Sequence, residues 1–244
     1  MKKLINICIF AIGIFMYSNC SLLNVSAQEY YFKNNNGILF SKEEYDFLSK
    51  MYWNGYQDNM TKEDYIDFKE SNIMNGEFKS KTITTNNNQT KGTTHSTANK
   101  TLKIAASCTT NCRVSVVLTW LSNPTIRSYD VIGARFSGVE LQSEPVTRVE
   151  SSSSAHFSNS TRKLSSGFGT SIMLPSGSGI ILNQDYYVSR GGTIYASYQH
   201  ARKNTTLEVS QMYNISPSGY GRVFSFYNSA IDVYDAMNGV DLSV

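Results

Sequence analysis

From residue 99 to residue 244 apolar and polar positions alternate in short bursts. Leu102, Ile104 and Ala106 fall on one side, Lys103 and Ala105 on the other. Val114, Val116, Leu118 and Trp120 share a face, while Val117 and Leu121 add apolar weight to the opposite one. A period of two is the signature of strand, and two partly apolar faces predict an interior strand there. Further strands are expected at 129–136, 146–157 and 164–174, with a short one at 180–182. Others are expected at 194–198, 207–209 and 223–227, with a last edge strand at 241–244. Asn123-Pro124, Gly138, Pro145, Pro175-Ser176-Gly177, Gly191-Gly192 and Pro217-Ser218-Gly219 punctuate them as turns. Short strands at such spacing predict a mainly β domain over 99–244, an antiparallel β-sandwich or barrel-like fold. Near its end Ser229 and Asp232 predict the cap of a short helix. Ala230, Tyr234 and Met237 lie on one side of it and Gly239 ends it.

The period changes upstream. Ser41 with Glu44 is a capping box, after which Tyr45, Leu48, Met51 and Tyr52 recur at three and four; Gly55 reads as the stop. Thr61 with Asp64 opens a second helix with Tyr65 and Phe68 on one side. A small helical hairpin over 41–79 is expected, within an N-terminal segment running from 28. The Thr-, Asn- and Ser-rich stretch 80–98 has too little apolar content to order itself and reads as a linker.

At the N-terminus Lys2 and Lys3 precede an apolar run from Leu4 to Tyr17, then Val25-Ser26-Ala27. A basic start, a short apolar run and a small-residue site predict a secretory signal cleaved near Ala27. An uncleaved anchor would need a longer run. A lipidated Cys20 would want small and aliphatic residues where Tyr17-Ser18-Asn19 stand. Loss of residues 1–27 takes two Lys and no acid, so the formal charge falls from +3 to +1. Such a chain has no field to hold nucleic acid or an anionic membrane. Localisation is therefore expected to be extracellular. Cys108 and Cys112, with three residues between them, would oxidise there and clip a turn between two strands. A metal or redox role for the pair would need further ligands nearby, and none is near. No cofactor and no metal are expected.

Catalytic signals are thin. The chain has three histidines: His95 in the linker, His156 and His200 in predicted strands. Nucleophile-elbow, zinc-helix and phosphate-loop patterns are missing. A hydrolase built on His156 or His200 is one reading, and it needs an acid or hydroxyl beside the imidazole. Tyrosine is the more telling signal, since an apolar ring with a polar tip suits a binding face. Tyr186, Tyr187, Tyr195 and Tyr198, with His200, form the candidate binding set. Against this, Tyr is also an ordinary strand residue. The main expectation is a secreted, non-enzymatic β-sandwich that binds a glycan, wall material or a protein at the cell exterior. The alternative is a β-pore-forming protein. It rests on 145–174, where Ser- and Thr-rich amphipathic strands meet near Asn159-Ser160, although Arg148, Arg162 and Lys163 interrupt the alternation.

Overall fold

The computed structural model describes residues 31–85, 100–127, 129–153, 155–158, 161–164, 167–201, 213–214, 225–226, 234–236 and 239–244. The expected signal, residues 86–98 of the expected linker and the strand at 207–209 lie outside them, as do Ser229, Ala230, Asp232 and Met237.

The chain opens with a two-stranded ribbon, β1 (Tyr31–Lys33) and β2 (Leu39–Ser41). Helices α1 (Lys42–Met51) and α2 (Lys62–Glu70) follow, joined through a 3-10 turn at Tyr56–Asn59; a second such turn covers Ile73–Asn75. Then come β3 (Glu77–Thr85), β4 (Lys100–Cys108), β5 (Asn111–Trp120), β6 (Tyr129–Ser137), β7 (Val146–Glu150) and β8 (Ala155–Ser158). They continue as β9 (Thr161–Leu164), β10 (Gly167–Met173), β11 (Ile181–Ser189), β12 (Thr193–Ala201), β13 (Tyr213–Asn214), β14 (Ser225–Phe226), β15 (Tyr234–Ala236) and β16 (Val240–Ser243).

Both helices start where their caps dictate. The Ser41 and Thr61 hydroxyls accept the backbone N–H of Glu44 and Asp64, whose carboxylates accept the cap N–H groups in return. Each cap contributes about 1 kcal/mol. α1 ends at Met51, ahead of Gly55. That glycine instead takes a left-handed turn (φ 93°) into the 3-10 segment.

Twelve of the described strands make two antiparallel sheets. The first runs β3-β4-β5-β11-β7-β8; the second runs β15-β12-β6-β10-β9, with β16 also paired to β12. Neither closes into a barrel among the described residues. Their inner faces meet in one core. Leu102, Ile104, Val114, Val116, Leu118 and Leu182 come from the first sheet; Ile132, Ala134, Ile172, Ile194 and Ala196 come from the second. This is a two-layer β-sandwich. A third layer lies on the outer face of the first sheet, where Phe40, Leu48, Met51, Tyr52, Tyr56 and Phe68 pack on Ala105 and Val117. Both faces of β5 are thus used, as its two apolar rows require.

Several elements differ from the sequence reading. Ser80–Thr85 is not linker but the second half of β3, paired residue for residue with β4. The strand is polar because it is an edge, with Lys79 and Lys81 keeping that edge soluble. The N-terminal segment carries a β ribbon besides its helices. Tyr234, expected in a helix, lies in β15 against Ala201. β11 is nine residues long, not three, because polar Asn183, Gln184 and Asp185 sit within it. Residues 145–174 are not one hairpin. β8 pairs with β7 in the first sheet and β9 with β10 in the second. The two halves of the expected pore hairpin thus belong to opposite layers.

Cys108 and Cys112 are joined by a disulfide across the β4–β5 turn. It closes so short a loop that its stabilisation is about 2 kcal/mol at most.

Candidate functional site

Strand parity decides where the five predicted binding residues go. On β11 the even positions Leu182, Gln184, Tyr186 and Val188 turn inward, so Tyr186 is buried and Tyr187 points out, 42% exposed. On β12 Ile194, Ala196, Tyr198 and His200 turn inward and are buried. Tyr195 faces outward, half-buried, with the Arg135 guanidinium 5.5 Å above its ring. The set therefore does not form a surface. Two members lie outside on different sheets, and three lie inside the sandwich.

The buried members build something else. Asp130 on β6 shares the inward parity of Ile132 and Ala134, and it is fully buried. Its carboxylate accepts a hydrogen bond from the Tyr198 hydroxyl. It also faces His200 Nδ1, at 3.0 Å from Oδ1 and 2.9 Å from Oδ2. Since a carboxylate only accepts, the imidazole Nδ1–H is the donor of that contact. From the facing sheet come Trp120 and Lys100, paired across β4 and β5. Trp120 meets the His200 ring edge-on at 4.8 Å. Lys100 is also fully buried. Its ammonium lies 5.0 Å from the Trp120 ring centroid and 6.0 Å from that of Tyr198. An amine, a carboxylate, a phenol, an imidazole and an indole thus converge at one end of the space between the sheets. Among the described residues the Trp120 indole N–H finds no acceptor.

A carboxylate-oriented histidine is the arrangement of a general base. Here only 4% of His200 is exposed, and the ring is walled by Trp120. His156, the other strand histidine, lies on β8 in the opposite sheet. Sequence reasoning found Tyr198 and His200 but missed Lys100 and Asp130. The missed signal was a charged residue at the inward position of an otherwise apolar row.

Two further polar groups brace the layers. Between the sheets Gln184 Nε2 donates to Thr147 Oγ1 (3.2 Å) and Thr170 Oγ1 (2.6 Å), and its Oε1 accepts from the Tyr186 hydroxyl. Thr170 belongs to the second sheet, so one amide ties both layers. Between the first sheet and the helices, Arg148 lies 4.9 Å from the Tyr56 ring and 3.5 Å from the Asp64 carboxylate. Burial pushes the Tyr56 phenol up to about 12. Burial also raises Asp185 against the opposing pull of Arg113, the Asn183 amide and Arg148. At the far side Glu44 accepts from Tyr65 and pairs with Lys69, joining α1 to α2.

Lys103, on the outer face of β4, donates to the Lys50 carbonyl at 3.0 Å and to the Tyr52 carbonyl. Burial lowers its ammonium from 10.5 to about 8. Between those values the unfolded chain binds the extra proton, so this group makes stability rise with pH across that window. Lys103→Met should remove the rise, read as the difference in urea midpoint between the two proteins along a pH series. Parallel profiles would show that the two carbonyls hold the proton as well as water does.

No family model matches this chain, and no curated protein does. Among solved structures, the crystal structure of the collagen binding domain of Erysipelothrix rhusiopathiae surface protein RspB is similar over 68% of this chain and 56% of that one. The identity is 6% and the TM-score 0.29. A likeness that slight carries no argument about what this chain binds. Among the described residues no helix is long and apolar enough to cross a membrane, and no group of three or more His, Cys, Asp or Glu is placed to hold a metal.

Proposed function

We propose that the chain is an exported, non-catalytic β-sandwich that binds a glycan or protein partner at the cell exterior. The site is the outer face of the first sheet around Tyr187. The observation that carries this reading is the setting of that ring. Tyr187 is exposed, its hydroxyl accepts from the Asn111 side-chain amide at 3.2 Å, and Arg113 is its direct neighbour across the strand pair. A ring held by its own tip offers one stacking face beside one planar hydrogen-bonding group, the Asn111 amide. The cross-linked β4–β5 turn stands at the same edge and keeps Asn111 in place. Partners of such a face are sugars or extended peptides. The disulfide suits an oxidising compartment, in line with the secretory pattern of residues 1–27.

The test is retention of the purified protein, without residues 1–27, on cell-wall material, a glycan array and immobilised extracellular-matrix proteins. One surface should retain it. Tyr187→Ala should then weaken retention about tenfold, the loss expected of an aromatic anchor, with an unchanged circular dichroism spectrum. Equal retention of the variant would move the site elsewhere. Failure on every surface would count against binding as the role.

A further inference from the structure

Asparagine is followed by glycine at Asn36-Gly37, Asn54-Gly55, Asn75-Gly76 and Asn238-Gly239. The first three pairs lie wholly among the described residues, and the fold treats them differently. We propose that Asn54 is a self-modification site. The Gly55 amide nitrogen closes on the Asn54 side chain, expels ammonia and leaves aspartate and isoaspartate there, while the fold protects Asn36 and Asn75.

The reacting atoms are neighbours by covalent structure. The side-chain Cγ of an asparagine and the next peptide nitrogen close a small ring after rotation about two single bonds, so no encounter has to be arranged. Glycine hinders that closure least, because it has no Cβ. All three asparagines are exposed. Hydrogen bonding separates them. Asn36 Nδ2 donates to the Asn59 carbonyl at 3.3 Å and the Met60 carbonyl at 3.0 Å, and the Gly37 N–H donates to the Asn34 carbonyl at 3.1 Å. Asn75 Nδ2 donates to Asn72 Oδ1 at 2.6 Å, and the Gly76 N–H to the Ile73 carbonyl at 3.1 Å. In both pairs the amide to be attacked and the attacking nitrogen are tied. At Asn54-Gly55 neither group has a hydrogen-bond partner among the described residues.

The local turn explains the difference. The Tyr56 N–H donates to the Trp53 carbonyl at 3.1 Å, with Asn54 and Gly55 at the centre of the turn it closes. Gly55 has φ 93° and ψ 2°, the values of the third residue of a type II turn. The peptide between the two central residues takes no part in the closing bond, so its N–H is left over.

The atoms balance with water as the one co-reactant. The Gly55 nitrogen gives its proton to solvent base and attacks Asn54 Cγ, forming a C–N bond. The Cγ–Nδ2 bond breaks, and the amide nitrogen takes a proton from solvent and leaves as ammonia. Water then opens the cyclic imide. Attack at Cγ breaks the new bond and gives aspartate. Attack at the main-chain carbonyl carbon breaks the original peptide bond and gives isoaspartate. In either case the Gly55 nitrogen recovers its proton. One water is consumed and one ammonia released, with no oxidation or reduction.

Isoaspartate adds one carbon to the main chain between Trp53 and Tyr56. Those rings meet edge to face at 4.8 Å and are buried in the layer packed on the first sheet. Lengthening the turn between them loosens that layer. The site is thus an ageing mark on the helical cover, and it is independent of the exterior binding role.

The test is incubation of the folded protein, without residues 1–27, in mildly alkaline buffer, followed by tryptic mapping. Trypsin places the three pairs in separate peptides, 34–42, 51–62 and 70–79. Peptide 51–62 should become heavier by one mass unit at Asn54 and split into two isomers. It should do so about tenfold faster than the other two, where two hydrogen bonds must open first. In urea the three should convert at similar rates. Asn54→Gln should all but abolish the change, because its ring needs one more atom. The aged protein should also show a lower urea midpoint, and fresh Asn54→Asp should not. An unchanged peptide 51–62 from the native protein, or equal rates at the three sites in that state, would overturn the proposal. Equal midpoints before and after ageing would overturn the loosening.

Discussion

Asp130→Ala is expected to destabilise the sandwich by about 3–5 kcal/mol, because two buried donors lose their common acceptor. The reason is what it leaves behind. Tyr198 and His200 would each lose the acceptor of a buried hydrogen bond. Chemical denaturation followed by tryptophan fluorescence reads the effect, because Trp120 stands in the wall of the cluster. The double variant Asp130→Ala/Tyr198→Phe should lose less than the sum of the two singles, since the hydroxyl and its acceptor go together. If the double variant is as unstable as the sum of the two singles, the residues are not coupled. The cluster would then be a set of separate contacts.

Gln184→Glu should have an effect of similar size, about 3–5 kcal/mol at neutral pH, from a change that adds almost no volume. Gln184 is fully buried, and its Nε2 donates to both Thr147 and Thr170. A carboxylate cannot donate, so the Thr147 and Thr170 hydroxyls must turn to donate in its place, and the tie between the layers becomes a buried charge. The introduced acid would have a folded pKa raised above its unfolded value. Stability should therefore be regained as pH falls below the folded value, and lost as pH rises through it. A pH-independent loss would mean that the carboxylate reaches water, and that the sheets are less tightly sealed there than their burial implies.

How much of this was legible in the sequence follows from what period-two patterns carry. β4, β5, β6 and β12 stand where alternation puts them, because one row of each strand must be apolar to fill the core. The capping boxes at Ser41 and Thr61 are local chemistry and need no tertiary context. β3 was hidden because an edge strand has no second face to bury, so its Thr and Lys resemble a linker. β11 was cut short because a satisfied inward glutamine looks like an interruption. The 145–174 hairpin failed because adjacency in the chain does not say which sheet receives each half.

The candidate site shows the same division. A chain pattern can place Tyr186 and Tyr187 on opposite faces of a strand, but only the packing says which face is wet. The packing of the first sheet on the second decides that Tyr198 and His200 are sealed while Tyr187 is not. Lys100 and Asp130 are thirty positions apart, on strands of different sheets. Their placement around the same Tyr198 is invisible to any local rule.

By itself, then, the sequence determined the β character of the C-terminal region, the helix starts and the C-x3-C clip, since each depends on neighbours a few residues away. The pairing of strands into two sheets, the covering of one outer face, and the convergence of an amine with a carboxylate between layers were decided by the tertiary structure. The physical reason is range. Periodicity and capping act over one or two turns of chain, while burial is a property of the closed assembly and assigns each side chain to water or to the core only once both layers are in place.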